Sequence, residues 1–375
     1  MVEVQEIFHL YEPDYKAAFN PSYVQLKAIS SIIKCRTAAL GSHIDTCGGC
    51  GNVQISYNSC RNRHCPKCQT LAKERWIDGQ KHKLLNVGYF HAVFTVPDDL
   101  RPLFYQNQKV MYNLLFKTVA ETLHELAANK KYLGAKIGFT SILHTWGQNL
   151  SYHPHIHCII PSGGLDFLGR WVNSRKKFFI PVKVLSRKFR GKFLDNLKSQ
   201  QLEFFGEQES LGNPASFQDL LNTCYKKEWV VYCKPPFKTA TCVVEYLGRY
   251  THRVAISNNR IIKLENGNVS FKWRDCKDGN KWKTMTVSAV EFMRRFLMHI
   301  LPQKFVKIRH YGFLGNSNQS KILLCKRLTG TPFVAKVKTS AYELICKMLG
   351  RDVSVCAVCG FRNDSARCLS PPLVA

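Results

Sequence analysis

An eight-residue stretch that alternates histidine with mostly apolar residues constrains this chain most. From His153 to Ile160 the sequence reads His-Pro-His-Ile-His-Cys-Ile-Ile. Successive side chains of a β-strand point to opposite faces, so His153, His155 and His157 share one face. The other face can pack on helices while the histidine face stays open, as in many antiparallel sheets. The pattern predicts a strand able to bind one cation, although three half-buried histidines bonded to backbone and water remain the alternative.

The charge balance points to a polyanionic partner. The 375 residues include 54 Lys and Arg against 26 Asp and Glu, a formal net charge of +28. Such an excess costs self-repulsion unless a polyanion binds, which favours nucleic acid over an anionic membrane surface. No apolar run approaches the ~18 residues of a membrane span, and residues 1–15 lack the apolar core of a signal peptide. We therefore expect an intracellular, cytoplasmic and nucleoid-associated protein with no membrane partner.

Cysteine spacing predicts a zinc-binding domain near the N-terminus. Of the 16 cysteines, six lie between residues 35 and 68, and in a reducing compartment they are expected as thiols or metal ligands. Two Cys-x-x-Cys pairs flank a strand-like run, which is the spacing of a four-thiolate zinc ribbon with a closed, structural ligand set. The predicted ligands of one structural zinc ion are Cys47, Cys50, Cys65 and Cys68. Packing of these cysteines as small hydrophobic residues is the alternative.

Further residues around these pairs leave the ligand set open. The neighbours that can replace a ligand or hold a second ion are His43, Cys60 and His64. Arg61 and Arg63 indicate that the domain faces DNA or RNA. Near the C-terminus, Cys356 and Cys359 form half of another zinc knuckle. The cysteines that can complete that knuckle are Cys346 and Cys368.

Hydrophobic periodicity predicts an antiparallel sheet of the ferredoxin-like kind. A strand from Tyr89 to Val96, an amphipathic helix and a strand from Ile137 to Trp146 precede the histidine strand. The connection 147–152 is short enough for a hairpin, which places His144 and Gln148 beside the histidine face. The later elements predicted are a strand from Glu228 to Cys233, a hairpin from Ile256 to Trp273 with an Asn266-Gly267 turn, and a helix containing Phe292 and Phe296.

Composition divides the chain into four parts. They are a helical segment 1–34, a zinc-binding domain 35–75, a sheet domain 76–265 with an insertion at about 165–226, and a C-terminal DNA-binding or accessory region 266–375. The insertion begins with a dense basic run that is interleaved with Trp171, Phe178, Phe179 and Phe189. Such a run suits single-stranded nucleic acid, whose bases stack on aromatic rings. A solvated loop with a few buried rings is the alternative.

Several motifs taken together resemble the rolling-circle insertion-sequence transposases, which are HUH endonucleases. In chain order they are the cysteine-rich run 57–68, His-Thr-Trp-Gly-Gln at 144–148, His-Pro-His-Ile-His at 153–157, Tyr-Leu-Gly-Arg-Tyr-Thr-His-Arg at 246–253 and Ile-Arg-His-Tyr-Gly at 308–312. The family combines two histidines around a hydrophobic residue with one or two catalytic tyrosines. The resemblance runs from about Cys35 to about Gly315, and the motifs together are more specific than any one alone.

The resemblance implies an α+β protein in which a zinc ribbon precedes a ferredoxin-like HUH nuclease domain, with a helical insertion and a mixed C-terminal region. It implies that Tyr246 or Tyr250 attacks single-stranded DNA at transposon ends and targets, leaving a 5′-phosphotyrosine, and that the enzyme can form a homo-oligomer. His155 and His157 would bind Mg²⁺ or Mn²⁺, with Gln148 chosen as third ligand over His144 or His153. The expected DNA contacts are Arg61, Arg63, Arg249, Arg253, Arg309 and His310.

Two other classes stay open. One is a transposase or nuclease with a carboxylate two-metal site, although no acidic residues cluster beside the histidines in the sequence. The other is a non-catalytic zinc-ribbon regulator, in which Tyr246 and Tyr250 belong to the core together with Val243 and Leu247. A phosphotyrosine adduct distinguishes the first alternative, and metal-dependent nicking distinguishes the second.

Overall fold

The computed structural model describes residues 2–174, 179–237, 243, 248, 255–275, 278–333 and 339–362. Its helices are α1 (Val4–Ala18), α2 (Tyr23–Lys34), α3 (Pro66–Lys81), α4 (Arg101–Gln106), α5 (Gln108–Ala128), α6 (Val182–Lys198), α7 (Pro214–Lys226), α8 (Ala289–Leu297), α9 (Gln319–Leu328) and α10 (Ala341–Leu349). Its strands are β1 (Ser42–Thr46), β2 (Val53–Tyr57), β3 (Tyr89–Thr95), β4 (Phe139–Trp146), β5 (Tyr152–Pro161), β6 (Gly163–Leu165), β7 (Trp171–Asn173), β8 (Val231–Phe237), β9 (Ile261–Glu265), β10 (Asn268–Asp275), β11 (Lys281–Ser288) and β12 (Ile308–Tyr311). The candidate site residues and zinc ligands that lie outside the described residues are Tyr246, Arg249, Tyr250, Arg253 and Cys368.

The histidine strand, β5, lies at the centre of the main sheet. The strand order is β12-β4-β5-β3-β8, and every neighbouring pair is antiparallel. The predicted hairpin joins β4 to β5 and is closed by a bond from the Gly147 N–H to the Ser151 carbonyl. This arrangement confirms the predicted α+β class with an antiparallel sheet. The edge strand β12 comes from the region assigned to a separate C-terminal part, so residues 76–265 do not contain the whole sheet.

The face of the sheet opposite the histidines carries the main core. The apolar side chains of β3 and β5 on that face pack with α5 and α6. Two rings of the basic insertion, predicted to stack on bases, belong to this core instead: Phe179 packs on Phe90, and Phe189 packs edge-on against Phe94. Both are at least 95% buried, with exposed fractions of 5% and 0%. The buried-ring alternative is therefore correct for these two residues, and Phe178 lies outside the described residues.

A second core joins the N-terminal helices to the C-terminal half of the chain. In it α1 packs against α8, where Phe8 and Phe296 meet edge-on with ring centroids 5.2 Å apart. The predicted Asn266-Gly267 turn links β9 to β10, and both residues have positive φ angles, 49° and 74°, as a type I′ turn requires. Beyond β10 this small sheet continues with β11, a strand that the predicted hairpin does not include.

One strand runs further than predicted. The strand expected to end before Pro235 is β8, and it continues through both prolines to Phe237. Proline lacks a backbone donor but is tolerated where one side of the strand has no partner, and β8 lies at the edge of the sheet. Among the helices of the described ranges, none combines the length and apolarity needed to cross a bilayer.

Candidate active site and metal centres

Three histidine rings meet on the face of the main sheet opposite the main core, and all three are buried. His155 and His157 project from β5, and the strand register pairs His155 with His144 of β4. One ring nitrogen from each residue lies within 4.8 Å of the other two. Burial lowers the pKa of His155 to about 3, so its ring is neutral at pH 7 and offers a lone pair. Neutral imidazoles converging in this way are a ligand set for a divalent metal ion. We call these three residues the histidine centre.

Hydrogen bonds to Nδ1 orient both β5 rings. His155 Nδ1 lies 2.6 Å from the His153 carbonyl, and because a carbonyl only accepts, Nδ1 carries the proton and Nε2 the lone pair. His157 Nδ1 lies 2.8 Å from Nε2 of His91 on β3. Burial lowers the pKa of His91 to about 3, so this ring is neutral and can accept a proton donated by His157. Both β5 ligands can then present Nε2 to a metal ion.

The third ring of the centre is His144, whereas the resemblance implied Gln148 as the third ligand. A β-bulge follows His144 in the pairing of β4 with β5, so strict alternation could not predict which side chain at this strand end reaches the histidines. Trp146 stacks on the His144 ring at 4.8 Å and 19°. Gln148 lies in the following turn, where its backbone carbonyl accepts a hydrogen bond from the Arg260 guanidinium. The geometry thus adds His144 to the candidate ligands, and a role for Gln148 stays a prediction.

The remaining histidine of the alternating stretch makes a different contact. His153 Nδ1 lies 2.7 Å from the guanidinium of Arg101 and accepts a hydrogen bond from it. Arg101 also pairs with Asp98. Within the described ranges, no group of three or more potential metal ligands includes a carboxylate. The carboxylate two-metal alternative therefore finds no support in that part of the chain.

A helix and a buried valine cover the sheet next to the histidine centre. Val243 is fully buried against Ile142 and Ile159, and Trp76 of α3 packs alongside. In the register of the sheet, Ile142 lies directly opposite His157. Val243 therefore lies on the histidine face, packed against the residue that is directly opposite His157.

The segment that carries the two predicted catalytic tyrosines has a second contact with α3. A Cβ atom at Gly248 would come within 2.2 Å of Cδ1 of Ile77, so the backbone of this segment lies close against the Ile77 side chain. Tyr246 stands between Val243 and Gly248 in the sequence, and Tyr250 follows two residues later. The prediction that both hydroxyls reach the histidine centre concerns residues outside the described ranges and stays a prediction.

Two of the predicted DNA contacts lie in the zinc-binding region and differ in their surroundings. Arg63 donates to the carbonyls of Phe305 and Pro302, at 2.5 and 2.9 Å. Its guanidinium therefore holds the loop before β12, and burial lowers its pKa. Arg61 is exposed and adopts a positive φ of 52° in the loop before α3. Its predicted contact with DNA remains compatible with the structure.

The two predicted contacts on β12 point to opposite faces. Arg309 lies beside Ser141 in the register, with its guanidinium 4.1 Å from the centre of the Phe116 ring. It therefore packs on the helical side, away from the histidine centre. His310 lies on the histidine face, where Nδ1 is 2.9 Å from the Thr140 hydroxyl. Burial lowers the pKa of His310 to about 4, so its ring is neutral at pH 7, and its predicted contact with DNA stays a prediction.

The cysteines form two groups of four. The first, which we call the inner centre, consists of Cys35, Cys60, Cys65 and Cys68. The Cys68 sulfur lies 3.6 Å from the sulfurs of both Cys35 and Cys60. Tetrahedral zinc with Zn–S bonds of about 2.3 Å requires sulfurs about 3.8 Å apart, so the spacing fits a structural zinc ion. Cys35 follows α2 and Cys65 caps α3, so this centre ties the N-terminal helices to the helix on the histidine face.

The second group, the outer centre, consists of Cys47, Cys50, Cys356 and Cys359. The prediction that Cys47, Cys50, Cys65 and Cys68 bind one ion is therefore wrong. The reason is the hairpin of β1 and β2, whose strands have five residues each and extend for about 16 Å. The first Cys-x-x-Cys pair lies at the tip of that hairpin, and the second lies beyond its base.

The sequence contained one signal for the correct grouping. The six cysteines at 35–68 and the C-terminal pair are eight in number, which is enough for two sets of four ligands. A single four-cysteine site would leave the other four without a metal ion. Cys60, considered as a substitute ligand, belongs to the inner centre. His64 instead accepts a bond from the Leu301 N–H, and Cys346 accepts one from the Val353 N–H. His43 belongs to neither centre among the described groups.

Comparison with known proteins covers both the cysteine and the histidine regions. Residues 7–96 match the family described as "Transposase zinc-binding domain", and residues 138–321 match the family described as "Putative transposase". The chain is 45% identical over 371 residues to "Putative transposase y4qJ" of Sinorhizobium fredii (strain NBRC 101917 / NGR234), covering 95% of this chain and 92% of the relative. It is 30% identical over 299 residues to "Transposase for insertion sequence element IS801" of Pseudomonas savastanoi pv. phaseolicola, covering 78% and 71%. No solved structure matches the chain.

Proposed function

Because the chain belongs to the insertion-sequence transposases that carry a transposase zinc-binding domain, we propose that it nicks and rejoins single-stranded DNA for rolling-circle transposition. The attacking groups in this proposal are Tyr246 and Tyr250, and the reaction takes place at the histidine centre. The observation that carries the proposal is the position of Val243. It is buried beside Ile142 on the face that bears the histidines, three residues before Tyr246 in the sequence.

The chain's own groups prepare the site for a cation. The rings of His144, His155 and His157 would hold it, and the bonds from Nδ1 of both β5 histidines keep their Nε2 lone pairs directed away from the strand. Three imidazoles favour Mn²⁺ over the harder Mg²⁺, which prefers oxygen ligands. When bound, a divalent ion would polarise the scissile phosphate and offset charge that develops there.

The proposed reaction conserves one phosphodiester bond at each step. The phenolic oxygen of a tyrosine attacks the phosphorus, and the bond from phosphorus to the 3′ oxygen breaks. The phenolic proton is finally carried by the released 3′-hydroxyl, and the 5′-phosphate stays on the tyrosine. Attack by a 3′-hydroxyl on this phosphotyrosine reverses the chemistry and rejoins the DNA, so no nucleotide cofactor is required. A second tyrosine allows a second strand to be cut before the first is released.

The alternative of a non-catalytic zinc-binding regulator explains less of the site. A regulator needs the cysteine centres and the basic surface, but it gives no reason for three buried imidazoles whose nitrogens lie within 4.8 Å of one another. Burying such groups costs free energy unless their polar atoms are satisfied, as a shared cation would do.

A covalent-adduct assay tests the proposal. Wild-type protein is incubated with Mn²⁺ and a labelled single-stranded oligonucleotide from the end of the element, and the products are separated on a denaturing gel. We expect a labelled protein band that is lost in the Tyr246→Phe/Tyr250→Phe double variant, by at least about 100-fold, because phenylalanine has no nucleophile. The single variants should identify the first nucleophile. If both tyrosines only pack, Tyr→Phe should cost about 1 kcal/mol or less and leave the adduct intact.

The matched control is Tyr23→Phe, at a tyrosine of α2 that is 71% exposed and belongs neither to the histidine centre nor to the segment 243–253. It should form the adduct as the wild type does. An adduct that survives in the double phenylalanine variant would show that another group attacks, and the assignment of both tyrosines would then be wrong.

A further inference from the structure

We propose that the outer centre is a second structural zinc site, which joins the C-terminal segment to the N-terminal zinc-binding hairpin. The Cys47 and Cys359 sulfurs are 3.6 Å apart, and those of Cys50 and Cys356 are 3.9 Å apart. These separations bracket the roughly 3.8 Å expected between thiolates on a tetrahedral zinc ion. Each end of the chain supplies two ligands, and Cys50 and Cys356 are 306 residues apart in the sequence.

The two halves of the centre are copies of one turn. In the first half, the Cys47 N–H donates to the Asn52 carbonyl at 2.9 Å and the Gly51 N–H donates to the Cys47 carbonyl at 2.9 Å. In the second half, the Cys356 N–H donates to the Phe361 carbonyl at 2.9 Å and the Gly360 N–H donates to the Cys356 carbonyl at 3.0 Å. Both glycines have positive φ angles, +69° and +72°. A Cys-x-x-Cys-Gly turn of this kind points two sulfurs at one ion, and the structure places two such turns face to face.

The ring of Phe361, from the second half of the centre, packs against the first half. Phe361 lies over the glycines between Cys47 and Cys50. A Cβ atom at Gly49 would come within 2.7 Å of that ring, and one at Gly48 within 3.2 Å. Gly48 and Gly49 therefore leave the space that the Phe361 ring occupies. The sequence alone did not show this contact, because Phe361 is more than 300 residues away in the chain.

The C-terminal segment is also held by contacts outside the centre. Before the knuckle, α10 packs against α3, and the Thr339 hydroxyl donates to Asp78 of α3. After it, Arg362 forms a 3.0 Å ion pair with Asp352, which also accepts the Ser354 N–H at 2.9 Å. These contacts position Cys356 and Cys359 before an ion binds. Because the match to the zinc-binding family ends at residue 96, half of the proposed ligand set lies outside it.

The site has a consequence for assembly. Metal binding by ligands at both ends of a chain closes a loop that contains most of the protein, and its free energy contributes to folding. The outer ion can bind only after residue 359 has been synthesised, whereas the inner centre is complete once Cys68 is available. The N-terminal hairpin thus acquires its final support from the last part of the chain.

Metal content measured on full-length variants tests which cysteines share an ion. The variants are Cys47→Ser/Cys50→Ser, Cys356→Ser/Cys359→Ser and the combination of all four. We expect each double variant to lose one zinc ion per chain, and the quadruple variant to lose one rather than two. The control, Cys346→Ser, changes a C-terminal cysteine outside both centres and should lose none. A C-terminal double variant that retains all its zinc, or a quadruple variant that loses two ions, would overturn the proposal.

A measurement on the unmodified protein covers the case in which the variants do not fold. Cys50 and Cys359 are exposed, so without a metal ion they should be alkylated rapidly by N-ethylmaleimide. We expect mass spectrometry to show them protected together, and to become reactive together when a chelator removes zinc. Cys346, which is less exposed, should react before chelation. Alkylation of Cys50 and Cys359 at the rate of Cys346 in the untreated protein would contradict the site.

Discussion

At the scale of single residues, the histidine centre depends on the tautomer of His157. Its Nδ1 lies 2.8 Å from Nε2 of His91, a ring nitrogen that can donate or accept according to its own tautomer. A metal ion on Nε2 of His157 requires Nδ1 to carry the proton and His91 to accept it. His91 is therefore a positioning residue in this proposal, and it acts on the ligand without touching the ion.

We predict that replacing His91 weakens metal binding when the new side chain cannot accept a hydrogen bond from His157. His91→Phe keeps a ring but has no acceptor, so Mn²⁺ affinity should fall by about 10- to 100-fold. His91→Gln retains a carbonyl oxygen and should recover most of that loss. Calorimetric titration of Mn²⁺ without DNA measures both effects. Equal affinity in wild type and His91→Phe would show that the contact does not orient His157.

The sequence predicted the ligands on one strand better than those on its neighbours. Alternation alone placed His155 and His157 on one face, because the period of a strand is fixed. His91 and His144 join them through the register of β3 and β4, and register depends on bulges and cross-strand packing that a single sequence does not show. The basic run with interleaved aromatic residues likewise left two interpretations open, and the structure decides for buried rings at Phe179 and Phe189, which face the core.

At the scale of elements, local signals were reliable and distant partners were not. The Asn266-Gly267 turn, β2 and the strands β3 to β5 follow from turn chemistry and periodicity. The four-residue strand β12 carries no such signal, and it extends the sheet by pairing with the edge of β4. The cysteine pairs show the same limit. Each turn was recognised, but the partner of the first pair lies 306 residues away.

The inner centre gives a prediction at this scale, because it joins α2 to α3. Cys35→Ser should release one zinc ion per chain, although Cys35 belongs to neither Cys-x-x-Cys pair, and Cys65→Ser should release the same ion. Hydrogen exchange should increase in residues 35–81, while β3 to β5 stay protected by their own core. Mass spectrometry of exchange and metal content measures both outcomes.

The control for this prediction is Cys233→Ser, which changes a partly exposed cysteine of β8 outside both centres. Its zinc content should equal that of the wild type. Full zinc content in Cys35→Ser would instead mean that the ion does not use this ligand. Loss of protection throughout the main sheet would mean that the sheet does not fold independently of the inner centre.

At the scale of the whole molecule, affinity and chemistry should depend on different residues. The net charge of +28 belongs to the lysines and arginines, whereas the histidine centre consists of imidazoles that are buried on the main sheet. Binding of a polyanion releases counterions in proportion to the number of phosphates that are contacted. The resulting affinity therefore comes from many basic residues spread over the surface. Cleavage requires the few atoms that surround one phosphate.

The last prediction separates these two contributions. His155→Ala/His157→Ala should abolish cleavage of a labelled single-stranded oligonucleotide and change its affinity by less than about threefold, because the substitutions remove no positive charge. If about six phosphates are contacted, raising the salt concentration from 50 to 200 mM should weaken binding by about 300-fold in both proteins. Fluorescence anisotropy measures affinity and a denaturing gel measures cleavage, with His153→Ala as the control on the same strand face.

Cleavage that persists in the double variant, or in the wild type with excess chelator, would show that the histidine centre does not carry the chemistry. Loss of binding together with cleavage would show that the centre supports the fold instead.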